Sequence, residues 1–260
     1  MPSKIATSEV IQRALVYAAE EMGIALKNSA YSPNIKERMD HSCTIFDSNK
    51  RLTAQAEHIP VHLGSMSWAV QKSLDQFTDT LEDGDMLLLN DPYISGTHLP
   101  DLTIIAPICH KDEIYGYAAN KAHHSDIGGK VPGSIATDSR DLSEEGLVIP
   151  VNKFVNKGKI NKKTSQWILN SVRVPKVTIG DLRAQIASNI TGVRRFIELI
   201  EKYGSDAVKT AIENALIRSE RLVRAEISRM PNGSFEAEDY MESTGTKEEP
   251  VRLRVKITIK

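Results

Sequence analysis

The sequence lacks the features of a membrane protein and of a disulfide-stabilised scaffold. It has no apolar run of the roughly 18 residues that a membrane-spanning helix needs, and its first residues do not resemble a signal peptide. It has only two cysteines, Cys43 and Cys109, and both lie inside strand-like runs, so we expect buried, reduced thiols. The formal net charge of −1 offers no excess of basic charge for nucleic acid. These absences predict a cytoplasmic protein with neither a membrane nor a nucleic-acid partner.

Signatures for nucleotides and for serine hydrolases are also missing. The sequence has no P-loop pattern, no G-x-G-x-x-G after a strand, no G-x-S-x-G elbow and no Cys-x-x-Cys pair. The chain therefore has no visible means of binding ATP or a dinucleotide by itself.

Helical and strand-like segments both occur, which predicts an α+β fold with mixed or antiparallel sheets and packed helices. Helices are predicted over 8–26, 66–77, 181–203 and 205–230, the last two as an antiparallel hairpin, with Ser8, Asp181 and Ser205 as N-caps. Strands are predicted over 43–46, 51–56, 86–89, 102–108, 113–119 and 251–260, with 235–241 as a partner for the last.

Three segments are predicted to be loops. Residues 128–150 are rich in glycine and proline, the lysine-rich run 152–163 favours a solvated surface loop over a polyanion site, and Pro60 argues against a helix in the pocket-lining segment 57–64. We expect a metal-site domain over 1–175, a helical hairpin over 176–230 and the start of a β region over 231–260. Because the sequence stops on a strand, we expect it to be part of a longer protein.

The residues best suited to chemistry lie at one end of a predicted hairpin. His98 and Asp101 come just before the strand at 102–108, and His123 comes just after the strand that follows it. If the two strands pair, these side chains converge. Two imidazoles and a carboxylate suit zinc, manganese or iron, and such an ion makes water a nucleophile at neutral pH. The alternative is that His98 and Asp101 cap local structure and His123 is a core residue.

Neighbouring polar residues extend this candidate site. Asp40 precedes the first strand and is either a fourth ligand or a turn residue. His124 points away from His123 in extended chain, so we expect it to contact substrate or to be structural. Asp126 either orients a ligand or forms a turn before Gly128 and Gly129.

Several motifs together resemble the hydantoinase B/5-oxoprolinase family. They are Asn-Asp-Pro-Tyr at 90–93, Gly-Thr-His-Leu-Pro-Asp at 96–101 and Ala-His-His-Ser-Asp-Ile-Gly-Gly at 122–129, with further similar segments at 29–43, 56–65, 145–150 and 181–186. The family includes the B subunit of ATP-dependent N-methylhydantoinases, the β subunit of caprolactamase and the metal-bearing subunit of acetone carboxylase.

This resemblance implies a metal held by His98, Asp101 and His123, with Asp40 as a further ligand. It also implies a hydantoinase A-like partner that uses ATP to activate a cyclic amide or a ketone, which fits the missing nucleotide motif. Hydrolysis of the activated amide is then expected at the metal, with His124 or Asp126 helping proton transfer.

Family members are roughly twice as long, so the resemblance implies an N-terminal portion of a larger fold. Either a second chain completes that fold or the product is incomplete, and we expect a homo- or hetero-oligomer. Two other functions compete with amide hydrolysis: carboxylation of a ketone, as in acetone carboxylase, and a non-catalytic fragment that scaffolds a partner through its unpaired strand.

Overall fold

A computed structural model describes residues 4–56, 58–77, 80–242 and 249–260. The helices are α1 (Lys4–Ser29), α2 (Pro33–Lys36), α3 (Pro60–Leu74), α4 (Pro92–Ser95), α5 (Leu142–Glu145), α6 (Lys162–Ser171), α7 (Pro175–Tyr203) and α8 (Ser205–Ile227). The strands are β1 (His41–Asp47), β2 (Leu52–Gln55), β3 (Met86–Leu89), β4 (Asp101–His110), β5 (Glu113–His123), β6 (Asn152–Asn156), β7 (Lys159–Ile160), β8 (Gly233–Met241) and β9 (Val251–Ile259).

A seven-stranded antiparallel sheet organises the molecule, in the order β2-β1-β5-β4-β3-β6-β7. Helices cover both of its faces. On one face, α1 and α7 pack over apolar side chains such as Ile45 and Ala118, and on the other, α3 packs over Phe46 and Tyr117. Because both faces are covered, every residue of β1 is buried. The predicted α+β class is therefore confirmed.

The two predicted hairpins are confirmed as well. Strand β1 turns back into β2, and β4 pairs along its whole length with β5. Strand β8 pairs with β9, as expected for 235–241 and the last strand, and this two-stranded sheet is separate from the large one. The division into domains at 175 and 230 stays a prediction; α7 packs against both α1 and β4.

Two segments predicted as loops are regular structure. Helix α3 already begins at Pro60, because a proline at the first helical position forgoes an N–H that would have no partner there. The lysine-rich run forms β6, β7 and the start of α6, where Asn161 caps the helix. Buried Phe154 and Val155 anchor this run in the core. Of the predicted loops, 128–150 remains irregular apart from α5.

All three predicted N-caps are wrong. Helix α1 starts at Lys4, so Ser8 lies within it and accepts a hydrogen bond from Gln12. Helix α7 starts at Pro175, which again fits a first helical position. Asp181 therefore lies inside α7, where its buried carboxylate accepts hydrogen bonds from the backbone of Tyr31 and Ser32. At α8 the cap residue is Gly204, and Ser205 is the first helical residue.

The cysteines are free thiols. Cys43 is buried as expected, and burial raises its pKa to about 12, whereas Cys109 is half-buried. Within the described residues, no helix is long and apolar enough to cross a bilayer. The cytoplasmic location stays a prediction.

Candidate metal centre

The register of the β4–β5 hairpin creates the site. Asp101 and His123 are directly opposite each other at the open end of the hairpin, and Leu102 and Ala122 form the next pair. Because side chains alternate between the faces of a sheet, Asp101 and His123 point to the same side. His123 Nδ1 lies 2.7 Å from Asp101 Oδ1 in a hydrogen bond.

A short turn brings the second histidine to this pair. Helix α4 begins after Asp91, whose carboxylate accepts the N–H of Tyr93, and ends at Gly96 with φ +71°. The following turn places His98 Nδ1 3.7 Å from Asp101 Oδ2, while the backbone N–H of His98 donates to that same oxygen. The His98 side chain is 74% exposed, so it faces solvent while Asp101 is buried.

His98, Asp101 and His123 form a group that could hold a metal ion. Each offers one ligand atom, and these three atoms lie within 4.8 Å of one another. Two imidazole nitrogens and one carboxylate oxygen form a donor set suited to zinc, manganese or iron, with positions left for water or substrate. The residues present therefore fit the expected ion, and the predicted convergence of these three side chains is found.

The charge of Asp101 is stabilised without a metal. Burial opposes its ionisation, but hydrogen bonding from His123 and the approach of His62 hold the pKa of Asp101 well below its usual range. Burial of His123 lowers its pKa, but its bond to Asp101 outweighs this effect, and the net pKa of His123 is raised. The carboxylate is thus ready to bind a cation at neutral pH, and a bound metal would require the neutral form of the His123 ring.

Asp40 lies beside this group but is not one of its three members. Its backbone carbonyl accepts the N–H of His123, and its Oδ1 lies 3.9 Å from His62 Nε2. His62 Nε2 also lies 3.5 Å from Asp101 Oδ1. Asp40 as a fourth ligand stays a prediction, and His62 links its carboxylate to that of Asp101.

Three histidines pack behind the two aspartates. His41 and His58 have ring centroids 4.8 Å apart, and His62 is buried in the first turns of α3. Among the described residues, the Nδ1 atoms of His41, His58 and His62 have no hydrogen-bond partner. The sequence predicts a loop around Pro60 for both His58 and His62, whereas His62 lies in the first turn of α3.

His124 and Asp126 are held away from the three converging side chains. His124 is buried on the α7 side, where its Nε2 lies 2.9 Å from Gln185 Oε1, and burial lowers its pKa. Asp126 accepts backbone N–H groups from Gly128 and Arg173 and forms an ion pair with the Arg173 guanidinium. Their predicted roles in proton transfer stay predictions, and these contacts favour roles in positioning.

Lys121 is a buried residue of this region that the sequence motifs did not single out. It lies two positions before His123 on β5, and burial lowers its pKa to about 8 against the opposing charge of Asp101. Lys121 lies two residues beyond the strand predicted over 113–119, and the sequence gives no signal of its burial, since lysines are mostly exposed.

A sheet flanked by helices, with two histidines and a carboxylate gathered at one hairpin end, defines a candidate metalloprotein. The model of the hydantoinase B/oxoprolinase family matches residues 4–260, and the chain belongs to this family. The resemblance inferred from the motifs is therefore confirmed.

Relatives and solved structures support this assignment. The chain is 51% identical over 257 residues to an uncharacterised protein of Methanocaldococcus jannaschii, covering 98% of this chain and 45% of that protein. It is 36% identical over 242 residues to 5-oxoprolinase of Dictyostelium discoideum, covering 93% of this chain and 19% of the enzyme. The chain thus spans less than half the length of these relatives.

Two solved structures have the same fold. The ATP-dependent caprolactamase of Pseudomonas jessenii superimposes with a TM-score of 0.90 at 29% identity, over 98% of this chain and 44% of that one. Acetone carboxylase superimposes with a TM-score of 0.85 at 19% identity, over 92% of this chain and 32% of that one, which establishes likeness of fold alone. These coverages agree with the expectation that the fold is part of a larger one. That it is the N-terminal part stays a prediction.

Proposed function

We propose that this chain is the metal-binding component of an ATP-dependent hydrolase of cyclic amides such as 5-oxoproline, hydantoins or lactams. The observation that carries the proposal is the convergence of His98, Asp101 and His123 at the end of the β4–β5 hairpin. Relatives named as 5-oxoprolinases and a structural neighbour named as an ATP-dependent caprolactamase support the proposed substrate class.

Each residue has a chemical task in this proposal. His98 and His123 supply neutral ring nitrogens and Asp101 supplies a charged oxygen, with Asp40 as the further ligand. A divalent ion, zinc or manganese or else iron, would polarise a carbonyl and lower the pKa of water at this position. His62 orients the two carboxylates from behind, which is the kind of contact that fixes ligand geometry.

ATP is assigned to another polypeptide in this proposal. No nucleotide-binding signature occurs in the sequence, and the caprolactamase neighbour is ATP-dependent. We therefore propose a hydantoinase A-like partner that phosphorylates the amide oxygen with ATP. Water would then add to the activated carbon near the exposed side of His98, with release of phosphate and cleavage of the ring C–N bond. Because the chain spans less than half of its relatives, further polypeptide is expected to complete the active complex.

Metal content tests the site directly. We expect the purified wild-type chain to hold close to one equivalent of a divalent metal, and His98→Ala and His123→Ala to lose most of it. His110→Ala is the matched control, because His110 lies at the opposite end of the same hairpin. Equal metal in all four proteins, measured by elemental analysis, would reject the site.

A substrate panel tests the reaction. With the ATP-using partner, we expect ATP-dependent ring opening of 5-oxoproline, a hydantoin or caprolactam, and loss of that activity in His123→Ala. Activity on acetone plus bicarbonate, with no ring opening of any cyclic amide, would favour the carboxylase. The likeness of fold to acetone carboxylase is the observation behind that alternative. Metal-free protein that binds the partner without turnover would favour a scaffold.

A further inference from the structure

Lys121 carries a buried positive charge next to the candidate metal centre. Its relative exposure is 0%, and it lies on β5 opposite Thr103. The neighbouring Asn120 points the other way, into α7, where it donates to Gln185 and Asn189. Lys121 therefore shares the α3 side of the sheet with Asp101 and His123.

The ammonium group joins three separate parts of the structure. Its Nζ donates to Ser65 Oγ on α3 at 2.8 Å, to the Ser95 carbonyl at the end of α4 at 2.7 Å, and to Thr97 Oγ1 at 3.1 Å. An ammonium has three N–H donors, so all of them are used. Two of the three acceptors flank Gly96, and Thr97 directly precedes His98.

Stability alone does not account for a lysine at this position. Removing an ammonium from water costs several kcal/mol, and apolar residues that fill the same space are often as stable or more stable. All three hydrogen-bond partners of Lys121 are neutral. Burying the ammonium therefore costs stability, and what it provides is a fixed distance between the Gly96–Pro100 turn and β5.

His98 depends on that turn, because it has few contacts of its own. Its side chain is 74% exposed, and its backbone N–H is held by Asp101. The ring can reach Asp101 and His123 only where the turn places it. By contrast, Asp101 and His123 are placed by the strand register itself.

We propose that Lys121 is a positioning residue that fixes the Gly96–Pro100 turn so that the His98 imidazole meets Asp101 and His123. This inference rests on the proposed metal site and adds a residue to it. Residues that orient ligands in this indirect way change metal affinity by about 10- to 100-fold when they are replaced.

Lys121→Met tests the proposal, because methionine is of similar length and has no N–H donors. We expect Co²⁺ to bind Lys121→Met about 10- to 100-fold more weakly than wild type. The d–d absorption of the Co²⁺-loaded variant should also shift towards that of His98→Ala. Asn120→Ala is the matched control, since Asn120 is equally buried on the same strand but faces α7; its affinity and spectrum should equal those of wild type.

Hydrogen exchange of the metal-free chain gives a second measurement. Lys121→Met should speed exchange at the amides of Gly96 and His98 while leaving α7 unchanged. If wild type binds neither Zn²⁺ nor Co²⁺, the proposed function fails, but this exchange still decides the role of Lys121. A Lys121→Met protein with wild-type affinity, spectrum and exchange overturns the proposal, as does an equal loss in Asn120→Ala.

Thr97→Val keeps the proposal testable if Lys121→Met does not fold. Valine matches the shape of threonine but removes one acceptor of the ammonium. We expect a smaller loss of Co²⁺ affinity in the same direction, together with faster exchange at the His98 amide. A Thr97→Val protein that matches wild type in both measurements would contradict the role assigned to Lys121.

Discussion

Single residues near the site have pKa values that neighbours from other elements shift away from their usual range. Asp101 stays ionised although it is buried, because His123 and His62 approach it. His41 has the opposite character: burial, and then the nearby His58, lower its pKa to about 4. Each state is set by neighbours from other elements, so residue type and spacing give no hint of it.

The low pKa of His41 predicts a loss of stability in acid. An unfolded histidine has a pKa near 6.5, so the unfolded chain takes up the proton first as the pH falls. The contribution of His41 is present above pH 6.5 and is lost as the pH falls to about 4, which amounts to about 3 kcal/mol. Urea unfolding of the metal-free protein at several pH values measures it.

His41→Gln should remove that part of the acid sensitivity. Carboxylates also titrate in this range, so the difference between variant and wild type isolates the histidine. Parallel slopes for His41→Gln and wild type between pH 6.5 and 4 would refute the assignment.

At the scale of elements, close strand packing places the site. Strand β5 lies between β1 and β4, and β1 approaches it closely at Gly116. A Cβ added at Gly116 would lie 2.2 Å from the Phe46 carbonyl oxygen. The Phe46 backbone cannot move away from this added Cβ unless the pairing between β1 and β5 shifts.

Gly116→Ala should therefore destabilise the protein by about 1–3 kcal/mol or more, the usual cost of overpacking. Gly64→Ala is the matched control, because no atom lies within 4 Å of its added Cβ and α3 is helical there. We expect that control to be stabilising by up to about 1 kcal/mol. Equal thermal midpoints for the two variants would contradict the close approach.

The elements that the sequence predicts well are those with strong periodicity. Helix α7 and the β4–β5 hairpin have clear apolar patterns, and the family motifs named three of the converging side chains. Prolines were harder to interpret, because Pro60 and Pro175 begin helices where a local rule reads them as interruptions. His62 and Lys121 could not be predicted, since their partners come from segments distant in sequence.

At the scale of the whole molecule, β8 and β9 present one apolar face and one charged face. Phe235, Leu253, Val255 and Ile257 share the first, each about half exposed. Ion pairs such as Arg254 with Glu236 lie on the second. Contiguous apolar surface of this kind marks a site of association.

Leu253→Lys with Val255→Lys should lower the binding of the dye ANS and reduce self-association. Both side chains are about half exposed, so the free energy of unfolding should change by no more than about 0.5 kcal/mol for each. Thr258→Lys adds charge on the opposite face and is the control. Unchanged ANS fluorescence and light scattering in the double variant would show that this face mediates neither dye binding nor self-association.

The register of the β4–β5 hairpin predicts an order of folding events for a hairpin that forms from its turn. Ten residue pairs form the ladder, which starts at His110 with Glu113 and ends at Asp101 with His123. Hairpins that grow from their turns close the distant end last. A metal ion would then bind after the hairpin has formed and would not nucleate its folding. The rate of metal binding would therefore report when the last pair has closed.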